Sequence, residues 1–182
     1  MRLFLAILLP PEVCLWASQI QAELRRRCPA KASWTSQGNL HVTLKFLGEV
    51  AQTQVAKLCD ALGQVEFGQP MRLKLGEVEC LPPHGRVHVI ALGIAGEVER
   101  LANLSRDIEA RCQPLGFPTE RRAFRPHVTL ARVKSPLRAA EIPRPENLPP
   151  PPEFVAPSFA LMQSILNSAG ATHHPLATFS LT

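Results

Sequence analysis

The sequence predicts an α+β fold of two related lobes, each an antiparallel sheet with helices packed outside it, which share a central cleft. The first observation is a repeat, because His-Val-Thr-Leu occurs at residues 41–44 and again at residues 127–130. The second is the order of the predicted elements, in which several strands follow one another without a helix between them. Such neighbours favour antiparallel sheets over a doubly wound parallel sheet.

Composition and charge indicate one globular domain with an anionic partner. Of the 182 residues, 46% are hydrophobic, which is enough for a single bilobal domain over residues 1–182. The formal net charge is +5, and a basic surface favours nucleic acid. The five cysteines include no C-x-x-C pair, and no apolar run approaches the ~20 residues that span a bilayer. We therefore expect a cytoplasmic monomer without disulfides, a zinc module or a membrane anchor.

Hydrophobic periodicity predicts the remaining elements in chain order. Pro10-Pro11 ends the first apolar run and begins the first helix, which continues to about Arg27. The other predicted helices cover residues 53–62 and 98–112. The predicted strands are residues 2–9, the two repeat segments, and residues 71–80, 87–94, 158–166 and 178–181, the last two around a turn at 167–170.

Residues 136–157 differ from the rest in composition, since they hold eight of the 18 prolines. Proline lacks the backbone N–H that helices and central strands require. We predict an extended surface segment here, and not a domain linker, because too little chain follows it to fold alone.

The repeated segments carry the chemistry. Valine, threonine and leucine favour strands, and side chains alternate between the two faces of a strand. His41 therefore shares a face with Thr43, and His127 shares a face with Thr129. Of two histidines, one can be protonated and the other neutral near pH 7. Such a pair can hydrolyse a phosphodiester without a metal or a cofactor, while hydroxyl groups stabilise the phosphoryl charge.

Three neighbouring residues are candidates for substrate binding. Lys45 has the parity that predicts a position on the cleft face. Phe46 and Arg132 each lie five residues after their histidine, so strict alternation points them away from the cleft. A β-bulge would turn them inward, where a ring and a guanidinium can flank a base. The alternatives are core packing for Phe46 and a solvated charge for Arg132.

These motifs and their flanks resemble the two-histidine phosphoesterase superfamily, and within it the RNA 2′,3′-cyclic phosphodiesterases, also called bacterial 2′-5′ RNA ligases. Residues 39–50 resemble the family signature NLHxTLxFLGEV, and residues 124–132 resemble the second signature. Residues 2–7 resemble its opening strand, and residues 161–181 follow its pattern. One position departs from that pattern, because His173 stands where tyrosine is expected.

The resemblance implies roles for individual residues. It makes His41 the proton donor to the leaving group and His127 the proton acceptor that activates water, with Thr43 and Thr129 holding the phosphate. It implies that the terminal 2′,3′-cyclic phosphate of RNA, including tRNA fragments, is opened to a 2′-phosphomonoester, with 2′-5′ ligation as a further activity. The sequence itself is symmetric as to which histidine is acid and which is base.

Other functions stay open at this stage. An esterase for small cyclic nucleotides or ADP-ribose cyclic phosphate would use the same four residues, and turnover of cyclic mononucleotides against RNA would separate the two. A non-catalytic RNA-binding protein would not need both histidines. His84, His88, His173 and His174 are assigned no role, since a zinc site would need a third protein ligand.

Overall fold

The structure, a computed structural model, describes residues 1–143, 145, 149–168 and 170–182. Within these residues it has three α-helices and nine strands, and the helices are α1 (Pro11–Arg27), α2 (Gln52–Gly63) and α3 (Val98–Cys112). The strands are β1 (Arg2–Leu8), β2 (Ala32–Trp34), β3 (His41–Glu49), β4 (Met71–Leu81), β5 (Val89–Gly96), β6 (His127–Val133), β7 (Glu153–Ala156), β8 (Ser158–Asn167) and β9 (Gly170–Ser180).

All pairings are antiparallel, which confirms the predicted α+β class. The strands form one sheet in the order β7-β4-β5-β6-β3-β1-β8-β9, and β2 pairs with β6 at one end. The two halves of this sheet are β7-β4-β5-β6 and β3-β1-β8-β9. Each predicted lobe thus corresponds to half of a continuous sheet, and the halves meet where β3 lies beside β6.

The two halves are built from crossed segments of the chain. The segment β1-α1-β3 matches β5-α3-β6, since each pair of strands is antiparallel and encloses a helix in sequence. The next long strand of each segment pairs in the opposite half. β4 follows β3 along the chain but pairs with β5, and β8 follows β6 but pairs with β1.

The main core lies between the helices and one face of the sheet. Fully buried residues of α1 and α3, such as Ile20 and Ile108, share this core with Leu5 of β1 and Ile90 of β5. The opposite face carries the cleft and a small apolar cluster of Phe4, Ala6, Ala160 and Met162. No helix in the described ranges is long and apolar enough to cross a membrane.

Two predicted segments needed correction. Residues 153–156, inside the proline-rich segment, form the edge strand β7 against β4, and residues 144 and 146–148 of that segment lie outside the described residues. The last strand is longer than predicted and begins at Gly170. Pro175 is tolerated in it because β9 is an edge strand with an irregular register beside Met162. Ala169, in the predicted turn, also lies outside the described residues.

Candidate active site

The two His-Val-Thr-Leu segments lie side by side at the junction of the halves. Val42 of β3 pairs with Val128 of β6, and both valines are fully buried in the helix-facing core. The residues on either side of each valine project from the opposite face, because side chains alternate along a strand. The structure therefore brings the predicted residues together in one cleft, namely His41, Thr43, His127 and Thr129.

Backbone carbonyls orient both imidazoles in the same way. Nδ1 of His41 lies 2.7 Å from the carbonyl oxygen of Asn39, and Nδ1 of His127 lies 2.8 Å from that of Arg125. A carbonyl oxygen only accepts, so Nδ1 carries the proton in each ring. Nε2 is thus left to exchange a proton in the cleft. In the neutral ring of His41, Nε2 accepts from the hydroxyl of Thr43 at 3.0 Å.

An aromatic wall encloses His41. Its ring centroid lies 4.8 Å from that of Phe4 and 5.2 Å from that of His173, which meets it edge-on. Burial lowers the pKa of His41 from 6.5 to about 4, although the Asn39 carbonyl acts in the opposite direction. The charges of His173, His127 and Arg132 lower it further. His41 is therefore neutral at pH 7 in the protein without substrate.

Both β3 and β6 contain a β-bulge directly after the threonine of the repeated segment. The register of β1 with β3 passes from Thr43 to Lys45 and skips Leu44. The register of β5 with β6 passes from Thr129 to Ala131 and skips Leu130. Helices stabilise both bulges from the other half of the sheet. Ser105 of α3 donates to the carbonyl of Leu44 at 3.1 Å, and Gln21 of α1 donates to that of Leu130 at 2.8 Å.

The bulges reverse the alternation of side chains, which turns Phe46 and Arg132 towards the cleft. Phe46 is 58% exposed, and its ring lies 6.2 Å from that of Phe4, which contacts His41. Arg132 is exposed, close enough for its charge to affect His41, and in no ion pair among the described residues. Both side chains therefore lie on the cleft face, beyond the two threonines.

The same reversal places Lys45 on the wrong face for its predicted role. Its side chain is only 2% exposed, and Nζ donates to Oε1 of Glu109 at 2.7 Å and to the carbonyl of Pro118 at 2.9 Å. The prediction that Lys45 faces the cleft is wrong, because strict alternation does not continue past the bulge at Leu44. Lys45 instead joins β3 to α3 behind the cleft.

His173 is a residue of the site that sequence reasoning left without a role. Its backbone N–H donates to Oδ1 of Asn39 at 3.3 Å, and the amide of Asn39 donates to the carbonyl of Ala171. Burial lowers the pKa of His173, with Arg2 and His174 acting in the same direction. Its departure from the tyrosine of the family pattern was the available signal for this position.

The His127 side of the cleft is charged. Arg125 donates to Oε2 of Glu79 from Nη2 at 2.8 Å and from Nε at 3.1 Å. Glu79 lies over Gly93, which pairs with His127. A Cβ atom at position 93 would lie 2.5 Å from Oε1 of Glu79, so glycine makes room for this ion pair. Across the described residues, no group of three or more His, Cys, Asp or Glu side chains could hold a metal ion.

Comparisons with known proteins agree with this architecture. A family model described as LigT like Phosphoesterase matches the chain twice, at residues 7–91 and 92–172. An RNA 2′,3′-cyclic phosphodiesterase of Archaeoglobus fulgidus is 33% identical over 98% of this chain and 99% of its own length.

Solved structures show the same fold. The protein TT0787 of Thermus thermophilus superposes with a TM-score of 0.82 at 29% identity, over 100% of this chain and 98% of the other. LigT of E. coli, solved as a complex with 3′-AMP, superposes with a TM-score of 0.76 at 26% identity over the same shares of both chains. The two matches of the family model divide the chain within β5, and each contains one of the two histidine strands. The chain belongs to the LigT-like phosphoesterase family.

Proposed function

We propose that the protein hydrolyses the 2′,3′-cyclic phosphate at the end of an RNA strand to a 2′-phosphomonoester, with the two histidines as acid and base. The observation that carries this proposal is the matched orientation of the imidazoles. Each Nδ1 is held by a carbonyl two residues earlier, so both Nε2 atoms are available in one cleft beside a threonine. The family and its curated relatives support the same chemistry.

The reaction is a displacement at phosphorus. His127 accepts a proton from water as the water oxygen bonds to phosphorus. The bond from phosphorus to O3′ breaks, and His41 gives its proton to O3′. Charge on the non-bridging oxygens is stabilised by the hydroxyls of Thr43 and Thr129. A 5′-hydroxyl in place of water would give a 2′-5′ linkage by the same steps, which accounts for a ligase activity.

The donor role of His41 depends on the substrate. Burial holds its pKa at about 4 in the protein alone, so it must gain a proton when the substrate binds. The cyclic phosphate carries a negative charge, and an opposite charge within a few ångströms raises the pKa of an imidazole. An enclosed, low-dielectric wall strengthens that interaction. The site thus couples protonation of the acid to occupation by an anion.

The remaining side chains of the cleft fit the terminal nucleotide. Phe46 offers an exposed ring for stacking, and Arg132 offers a guanidinium that has no counter-charge among the described residues. Stacking of a base on an aromatic side chain contributes about 1–3 kcal/mol. The solved complex of E. coli LigT with 3′-AMP supports a nucleotide ligand. We propose that the protein acts as a single domain and a monomer in the cytoplasm, on RNA ends that include tRNA fragments.

A direct assay tests this function. The protein is incubated with an RNA oligonucleotide that ends in a 2′,3′-cyclic phosphate, and the product is resolved from the 2′- and 3′-phosphomonoesters. We expect the 2′-phosphate alone, at a rate that EDTA leaves unchanged, because acid and base are both side chains. A 3′-phosphate product, or activity lost in EDTA and restored by a divalent cation, would contradict the mechanism. Turnover of cyclic mononucleotides alone would favour the small-nucleotide alternative.

A further inference from the structure

A second groove lies beyond the C-terminal end of β6. It is bounded by residues 83–86, between β4 and β5, and by residues 136–139, after β6. Its volume is about 460 Å³. We refer to these two segments and the space between them as the distal groove. The backbone N–H of Val87 donates to the carbonyl of Leu137 at 2.9 Å, which holds the two segments together.

Two arginines lie opposite each other in the distal groove. Arg86 and Arg138 form an isolated antiparallel bridge, and both are exposed. Like charges directly opposite each other in a sheet are destabilising. No ion pair involves either guanidinium in the described part of the chain, and the nearby carboxylate of Glu141 accepts from the backbone N–H of Arg138 at 2.7 Å. His84 lines the same groove. The arrangement favours an anionic ligand.

The distal groove adjoins a smaller cavity that extends towards the His127 side of the cleft. This cavity, of about 260 Å³, shares Pro83 and Ala139 with the groove and is also lined by Arg125 and Glu79. Arg125 holds the ring of His127 through its carbonyl. The two adjoining cavities therefore define a path from Arg125, which orients His127, to the arginine pair.

The length of this path selects the kind of ligand. Ala91 of β5 pairs with Thr129, and Arg86 lies five residues before Ala91, ahead of the first residue of β5. At about 3.3 Å per residue of extended chain, these positions are up to ~16 Å apart. A terminal nucleotide in the cleft cannot cover this distance, whereas a strand with further nucleotides on its 5′ side can. Resting on the function proposed above, we propose that the distal groove binds the phosphodiester backbone of the RNA upstream of the cyclic phosphate.

A charge-removing variant tests this assignment. Arg86→Gln combined with Arg138→Gln is compared with wild type on an oligonucleotide of about ten nucleotides with a cyclic end, and on 2′,3′-cyclic AMP. We expect KM for the oligonucleotide to rise on the order of tenfold, and KM for cyclic AMP to stay unchanged. The slope of log KM for the oligonucleotide against log salt should become shallower by about 1.4, since each phosphate contact on a single strand contributes ~0.7.

The matched control removes two charges elsewhere. Arg106 and Arg111 are exposed on α3, a helix that packs against the sheet face opposite the cleft. Arg106→Gln with Arg111→Gln should leave both substrates unchanged. Equal weakening of the oligonucleotide by both double variants would overturn the groove in favour of diffuse charge, and so would no change in the first variant. If wild type cleaves cyclic AMP but no oligonucleotide, the groove assignment fails while the phosphodiester chemistry stands. If it cleaves neither, the proposed function fails.

Discussion

β3 and β6 hold their histidines with the same backbone geometry but surround them with different side chains. In both strands a carbonyl two residues earlier orients Nδ1, and a bulge follows the threonine. Around His41 the neighbours are the rings of Phe4 and His173. Around His127 they are the charged side chains of the Arg125–Glu79 ion pair.

This difference shows how a repeated motif acquires two roles. The backbone places two equivalent proton-exchanging nitrogens in one cleft, and the surroundings decide how each one is charged. The enclosed imidazole is neutral until an anion reaches it, as its pKa of about 4 indicates. The open side offers charge and a path for a polyanion.

The largest effect is expected when either imidazole is removed. His41→Asn and His127→Asn should each lower kcat by about 10²–10⁴-fold, because each deletes one proton-transfer partner. The double variant should be little slower than either single one, because the acid and base act in one displacement. Turnover of a cyclic-phosphate RNA gives the rates. A histidine variant with near wild-type turnover would exclude the two-histidine mechanism.

The two histidine variants should differ in stability, which serves as an internal control. His41 packs against Phe4 and His173, so His41→Asn should lower Tm more than His127→Asn does.

The next effect tests whether Lys45 of β3 lies behind the cleft, in its ion pair with Glu109. Lys45→Met leaves the largely buried carboxylate of Glu109 without its cation, and Oε2 of Glu109 already lacks a partner among the described residues. Removal of one member of a buried ion pair costs about 3–5 kcal/mol. We expect this loss in the free energy of unfolding, measured in urea, with kcat nearly unchanged.

The matched variant adds Glu109→Leu to Lys45→Met. It replaces the whole ion pair by apolar side chains and should recover most of the lost stability. A large loss of kcat in Lys45→Met, with no loss of stability, would show that Lys45 lies in the cleft after all.

The enclosure of His41 should also appear in the pH dependence of stability. Between pH 6.5 and about 4 the unfolded chain binds a proton at this residue that the native chain does not. The free energy of unfolding should therefore fall as pH falls through that range, by at most about 3 kcal/mol. Urea unfolding at pH 7 and pH 4.5 measures it. In His41→Asn the decrease should be smaller, and an identical decrease would show that His41 is not enclosed.

The smallest effect compares the aromatic side of the cleft, at Phe46, with its charged side, at Arg132. Phe46→Ala and Arg132→Gln should each raise KM for the RNA about tenfold, through lost stacking and lost charge. Only the effect of Arg132→Gln should shrink as salt rises. Both residues are exposed, and exposed substitutions change stability by about 0.5 kcal/mol or less. The KM values at low and high salt test the distinction. An equal salt dependence of the two variants would mean that the two sides of the cleft do not differ in charge.

The sharing of one strand face by each histidine and its threonine was predictable because it depends on local alternation alone. His41 and Thr43 are two residues apart in a strand-forming segment, and so are His127 and Thr129. Lys45 was not predictable in this way. Its direction depends on a bulge, and donors from helices of the opposite half stabilise the carbonyls of the two bulges, at Leu44 and Leu130. No local pattern contains that information.

The position of His173 beside His41 and the first part of the final strand were missed for a related reason. Pro175 interrupts the strand pattern, and an edge strand tolerates proline only because its N–H can face outward. That condition depends on where the strand lies in the sheet. Once β9 is placed beside β8, His173 comes into contact with the rings of Phe4 and His41. Tertiary placement, and not residue preference, decided both features.

The crossing of β4 and β8 between the two halves makes the enzyme a natural candidate for splitting. A fragment with β1 to β4 would carry His41 but would lack β8, the partner of β1, and β5, the partner of β4. The complementary fragment would carry His127 but would lack β1, the partner of β8, and β4, the partner of β5. We expect each piece alone to be unfolded and inert, and the mixture to regain turnover only as the two chains find each other. Catalysis would then report directly on association, with each fragment bringing half of the proton-transfer pair.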